Sequence, residues 1–239
     1  MNRIRTAMVL AAGLGTRMRP LTDDRPKALV DVGGRALIDH VLDRLADAGV
    51  ERAVVNVHWF ADRLEAHLRA RGRGPEIVIS DERDALLETG GGLKKARPLL
   101  GDEPILVANI DSVWIDRGDA VGELVRAFDP DRMDALLLVT RREESIGFEG
   151  AGDFFLGEDG RLTFRGEAAS APFAYMGVHV TRPDIADAGP EGPFSLTPMW
   201  RERAKAGRLF GAAFDGFWMH VGDPVARDEA EARLAAERS

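Results

Sequence analysis

The chain has 239 residues, 45% hydrophobic and 30% charged, enough for one large α/β domain with a substantial core and too few for two enzyme domains. Its formal charge of −8 lacks the basic excess of a nucleic-acid binder, and the absence of cysteine excludes disulfides, thiolate zinc sites and cysteine nucleophiles. No stretch approaches the ~20 apolar residues of a membrane span, and residues 7–12 are too short for a signal-peptide core, so a cytoplasmic protein with no nucleic-acid or membrane partner is expected.

The first half alternates strand and helix signals. Residues 7–12 form an apolar run ended by glycine, which suits a buried parallel strand. Residues 36–49 have helical spacing, with Leu37, Ile38, Val41, Leu42 and Leu45 on one face and Gly49 as the stop. A strand at 53–57 follows, then a helix marked by Phe60, Leu64 and Leu68, a strand at 77–79, a short helix at 93–100 and a strand at 105–110. Repeated units of this kind predict a Rossmann-like, mostly parallel sheet with helices on both faces. The second half is less regular. It predicts strands at 135–140 and 173–180, antiparallel hairpins within 147–166, a helix from a Ser195 cap to about Gly207, and a last helix opened by Asp223-Pro224. One domain is expected, regular to about residue 112, with a smaller antiparallel, substrate-facing subregion after it. Trp59, Trp114 and Trp200 read as core or rim packing.

The segment after the first strand carries the chemistry. Ala11, Ala12, Gly13, Leu14, Gly15, Thr16 and Arg17 lead toward Pro26-Lys27. The glycines let backbone N–H groups turn toward an anion, Thr16 adds a hydroxyl, Arg17 can fork onto phosphate oxygens, and Lys27 returns a compact cation to the same strand end. Ligands of open α/β sheets sit there. A dinucleotide fingerprint would need glycine at Met18, and a P-loop would need Gly-Lys-Ser/Thr at the loop's end; both patterns are missing. A tight strand–helix turn with solvated arginines is the remaining alternative.

Gly13-Leu-Gly15-Thr16-Arg17-Met-Arg19-Pro20-Leu-Thr22 with Pro26-Lys27 resembles the signature of the sugar-1-phosphate nucleotidyltransferases. The resemblance continues through Glu88-Thr89-Gly90-Gly91-Gly92, Asn109-Ile110-Asp111, Gly152-Asp153-Phe154 and Trp218-Met-His220-Val221-Gly222. It implies transfer of a nucleotidyl group from an NTP to a sugar-1-phosphate, with release of pyrophosphate. UTP with N-acetylmuramate-1-phosphate or a related sugar is favoured, because the 88–92 run resembles the uridylyltransferase branch. GTP with mannose-1-phosphate is the alternative, and a non-catalytic sugar-nucleotide-binding regulator is an alternative of another class. Oligomeric state stays open.

The residue roles divide accordingly. Asp111 ends an apolar strand and faces the ligand crevice, where a lone Asp either caps the next element or binds Mg²⁺; the resemblance assigns it to Mg²⁺. Arg17 and Lys27 complete the expected catalytic set. Glu82, Thr89, Gly90 and Asn109 are implied at the nucleotide, the 88–92 run being read as a loop that approaches the base closely. Gly152, Asp153 and Glu167 are implied near the sugar, with a solvated strand-edge charge as the other reading of Glu167. His220 departs from the pattern, since many relatives have an Asp there as second Mg²⁺ ligand. Imidazole suits Mg²⁺ poorly, so His220 is expected to bind phosphate, hold a metal-bound water or pack, while Asp223 is either a substitute ligand or a helix cap.

Overall fold

The computed structural model describes residues 3–237. In chain order the strands and helices are β1 (Thr6–Leu10), β2 (Asp31–Val32), β3 (Arg35–Ala36), α1 (Leu37–Asp47), β4 (Arg52–Val57), α2 (Ala61–Ala70), β5 (Glu76–Asp81), α3 (Glu88–Leu100), β6 (Ile105–Asn109) and β7 (Ser112–Asp116). They continue with α4 (Ala120–Ala127), β8 (Ala135–Arg141), β9 (Ser145–Ile146), β10 (Phe154–Leu156), β11 (Leu162–Phe164), β12 (Phe173–Thr181), α5 (Thr197–Lys205), β13 (Leu209–Ala213), β14 (Gly216–His220) and α6 (Pro224–Glu237).

The main sheet runs β5-β4-β1-β6 in parallel, and β12 then lies antiparallel to β6. β8 pairs with the other edge of β12 and carries β13 in parallel; β10 and β11 form a hairpin beside one end of β12. β1 sits between β4 and β6, so the connections leaving its two neighbours go opposite ways, and a crevice opens at their carboxyl ends. The expected mixed α/β architecture is present. One apolar cluster packs α1, α2 and α4 on one face, and a second packs α3 and α5 on the other. No described helix is long and apolar enough to cross a membrane.

The helical face read from the sequence is the buried face of α1: Leu37, Ile38, Val41, Leu42 and Leu45 are all buried. Its end is a two-bond cap, with Gly49 N–H donating to Ala46 and Val50 N–H to Leu45, around Gly49 at φ +86°. Asp223 caps α6 by accepting from Ala226 N–H at 2.9 Å. Four expectations differ. Residues 11 and 12 leave the sheet because their N–H groups bond to a side chain. The region 147–166 holds one hairpin, β10–β11, and its first residues form a loop. α5 starts at Thr197 after Leu196; Ser195 instead accepts from Thr197 N–H, with Pro198 in the first turn.

The largest difference is Glu88–Gly92, which opens α3 rather than forming a loop. Glycine at these positions answers to packing. A Cβ on Gly90 would lie 2.4 Å from the Phe194 ring, one on Gly91 2.5 Å from the Gly192 carbonyl, and one on Gly92 2.9 Å from Glu82. The segment before α5 and the chain leaving β5 press against the first turn of the helix, so three glycines that disfavour a helix are tolerated there.

Candidate active site

A cavity of about 520 Å³ opens at the carboxyl ends of β1, β4 and β6. Leu10 to Arg17, Glu82 and Thr89 line it, with the largely buried Lys27 and Asp111 at its floor. The loop is bent by Gly15 at φ +65°, where a Cβ would meet Thr22 at 3.0 Å and Lys27 at 3.1 Å. Thr22 locks the bend by donating from its hydroxyl to the Gly15 carbonyl at 2.8 Å. A Cβ on Gly13 would meet nothing within 4 Å, so the bare backbone there leaves room for a ligand. Thr16 begins a short 3₁₀ turn, and Arg17 is exposed with no ion pair among the described residues.

Lys27 is 8% exposed, and its Nζ donates to Asp111 Oδ2 at 2.8 Å. These groups come from positions 84 residues apart, Lys27 in a short 3₁₀ turn of residues 27–29 and Asp111 just after β6. His220 Nε2 lies 3.5 Å from the same oxygen, while its Nδ1–H donates to the Gly147 carbonyl at 3.1 Å. Burial by itself would raise the Asp111 carboxyl, but the charges and hydrogen bonds of Lys27 and His220 override it and hold the group well below the usual carboxylate range. The site therefore keeps a fixed anion beside the Lys27 ammonium and the His220 ring, next to the loop that carries the exposed Arg17.

The expected residues separate clearly by place. Ala11 to Arg17, Lys27, Glu82, Thr89, Asn109 and Asp111 all line the cavity. Gly90 lies just behind it, its N–H spent on the Phe194 carbonyl. Thr89 accepts from Leu196 N–H at 3.0 Å. Asn109 packs under Gly177, where β12 bulges and a Cβ would come within 3.1 Å of it. The three residues expected near the sugar are not on this cavity. Gly152, at φ +87°, turns against the Ala171 carbonyl; Asp153 accepts from Tyr175 N–H at 2.9 Å; and Glu167 is exposed after β11. His220 reaches Asp111 from β14, whereas Asp223 is engaged as the α6 cap.

Sequence reading missed Asn56, which is 3% exposed in β4 and lines the cavity. Its Oδ1 accepts from Ala11 N–H at 2.6 Å and Ala12 N–H at 3.2 Å, and its Nδ2 donates to Glu82 Oε1 at 2.8 Å. The signal was present: one amide inside an otherwise apolar strand must find partners or cost stability.

Residues 7–197 match the family model described as the MobA-like NTP transferase domain. Over 233 residues, 96% of each chain, the protein is 60% identical to the N-acetylmuramate alpha-1-phosphate uridylyltransferase of Caulobacter vibrioides. It is 35% identical to the enzyme of that name from Neisseria meningitidis over 232 residues, 96% of this chain and 98% of that one. A solved UDP-glucose pyrophosphorylase in complex with UDP-glucose shares the fold, with a TM-score of 0.80 at 18% identity over 98% of this chain and 99% of that one. The chain belongs to the MobA-like NTP transferase family and is a sugar-1-phosphate nucleotidyltransferase.

Proposed function

We propose that this enzyme joins UTP to N-acetylmuramate-1-phosphate, or to a sugar-1-phosphate close to it, releasing pyrophosphate and forming the UDP-sugar. The observation that carries the chemistry is the Lys27–Asp111 pair, 2.8 Å apart in the cavity that the glycine loop also lines. The choice of substrates rests on 60% identity across nearly the whole length of a uridylyltransferase of that specificity.

The sugar phosphate is already anionic near neutral pH, so its oxygen needs no general base to attack the α-phosphorus in line with the leaving pyrophosphate. Arg17 and Lys27 are placed to neutralise charge on the triphosphate as the bond to pyrophosphate lengthens. The loop from Gly13 to Thr16 holds the phosphates through backbone N–H groups, and Glu82 and Thr89 border the base. Gly152, Asp153 and Glu167 belong to the region proposed to receive the sugar.

Asp111 offers one hard carboxylate beside the phosphate site, a donor set that fits Mg²⁺, which takes its other ligands from phosphate and water. Among the described residues no cluster of three acidic or imidazole side chains is present, so the protein contributes few ligands. Asp111 would hold the ion, and His220 Nε2, at 3.5 Å from that carboxylate, stands where it can hold a bound water. The ion supplies Lewis-acid neutralisation of the reacting phosphates.

Pyrophosphate release by the purified chain with UTP, GTP, CTP and dTTP, each against N-acetylmuramate-1-phosphate, glucose-1-phosphate and mannose-1-phosphate, tests the assignment. Turnover fastest with UTP and N-acetylmuramate-1-phosphate is the expected result. Preference for GTP with mannose-1-phosphate would replace the substrates and keep the chemistry, whereas tight binding without release in any combination would make the chain a sensor.

A further inference from the structure

The amide of Asn56 has only one orientation that satisfies its neighbours. Two backbone N–H groups, from Ala11 and Ala12, converge on its Oδ1, and a carboxylate oxygen of Glu82 faces its Nδ2. A flipped amide would set donors against donors and an oxygen against an oxygen. Glu82 is fully buried, and its second oxygen receives Leu87 N–H at 3.4 Å. No described cation forms an ion pair with it, and burial pushes its carboxyl up. α3 comes down directly on the pair: a Cβ at Gly92 would sit 2.9 Å from Glu82 Oε1 and 3.0 Å from Asn56 Nδ2. A buried carboxylate, an amide spanning two elements and a helix that gives up a side chain to admit them make a built unit rather than an incidental contact.

We propose that Asn56 is a positioning residue that joins base recognition to phosphate positioning, holding Glu82 as an acceptor toward the base while anchoring the first two residues of the phosphate loop. The inference rests on the cavity being the nucleotide site and deepens that reading. Glu82 is a lining residue of the cavity, and each of its oxygens receives one donor from the protein, which orients the carboxylate and leaves each oxygen a lone pair for a base. Bases with a ring N–H at the pairing edge, uracil, thymine and guanine, make a charge-assisted hydrogen bond to such a group. Cytosine and adenine carry a lone pair at that ring position and are repelled, which is discrimination by an unpaired polar contact. Because the same amide holds the loop, a base that displaces Glu82 also disturbs the backbone that receives the phosphates.

Steady-state pyrophosphate release by the full chain with UTP, GTP, dTTP, CTP and ATP tests this on three proteins: wild type, Asn56→Asp, and Asn56→Asp combined with Glu82→Gln. Asn56→Asp keeps the acceptor for Ala11 and Ala12 but faces Glu82 with a second carboxylate. The KM for UTP is expected to rise about tenfold or more while kcat changes little, since a buried acceptor has lost its donor. In the double variant the amide introduced at position 82 donates back to the carboxylate introduced at position 56, so the melting temperature returns to that of wild type. The restored pair now turns an N–H toward the base, and the preference for UTP over CTP is expected to fall about tenfold.

A purely structural role predicts that the double variant regains the wild-type base preference, and that outcome overturns the proposal. So does an unchanged KM for UTP in Asn56→Asp. The double variant carries the test even where the single variant does not fold. A wild-type preference for GTP or dTTP would reject UTP as substrate and support the acceptor role of Glu82; a preference for CTP or ATP would overturn it.

Discussion

The two halves of this chain use the same residue types for different ends. Before Asp111, glycines and charges converge on one cavity: Gly13 leaves open space, Gly15 turns the loop, and Lys27 meets Asp111. After it, a similar glycine–aspartate pair serves the backbone: Gly152 makes room for the Ala171 carbonyl, and Asp153 ties down Tyr175 N–H. The contrast shows that similar glycine and aspartate residues can leave open space in one place and tie down backbone in another.

The sharpest test of that contrast is at the cavity floor. Asp111→Asn and Lys27→Ala are each expected to lower kcat by about 10²–10³ while far-UV circular dichroism stays that of wild type, because charge is removed where it acts in the transition state. Near-normal pyrophosphate release from either variant would remove the catalytic distinction between the halves.

Acid stability comes next and concerns the second half. His179 is 1% exposed on β12, and burial pushes its imidazole down to about 3. A depressed folded value means that the unfolded chain binds this proton first, so stability is complete above about pH 6.5 and falls by about 1.4 kcal/mol per pH unit between there and pH 3. His40, also lowered by burial, adds in the same direction. Denaturant titrations of His179→Leu from pH 7 to pH 4 should show a shallower slope than wild type; an equal slope would mean that the buried imidazole titrates normally.

Glycine-to-alanine pairs then separate packing from binding. Gly90→Ala, with its Cβ driven into Phe194, is expected to cost about 1–3 kcal/mol of stability by thermal melting. Gly13→Ala should shift stability by less than about 0.5 kcal/mol, since nothing lies within 4 Å, and should raise the KM for UTP instead. A destabilised Gly13→Ala with unchanged KM would reverse the roles given to the two glycines. Asp153→Ala is expected to leave Tyr175 N–H unpaired, at a cost of about 1–2 kcal/mol of stability. Should the KM for the sugar phosphate rise with the melting temperature unchanged, Asp153 acts on the sugar and the second half carries more of the site than its backbone bonds suggest.

Much of the first half was legible because its signals are local. The buried stripe of α1, the Gly49 cap and the strand-ending carboxylate at Asp111 each follow from a few neighbouring residues. Three features were not legible. Gly90 to Gly92 look like a loop until Phe194, Gly192 and Glu82 are seen pressing on the helix start. α4 was missed although Asp119 caps it by accepting from Gly122 N–H, because its eight residues give too short a pattern. Asn56 looked like one residue of an apolar strand, and its partners come from two other elements.

The sequence by itself determined the glycine loop after the first strand, the parallel α/β order and the presence of Lys27 and Asp111, because backbone freedom, apolar period and charge are properties of short stretches. The tertiary structure alone decided that Lys27 and Asp111 touch, that His220 turns toward that carboxylate, and that Asn56 ties Glu82 to the loop. Each of these is a contact among residues at strand ends or in the segments that follow them, and hydrogen-bond geometry over about 3 Å is set by how the sheet brings those ends together rather than by spacing along the chain.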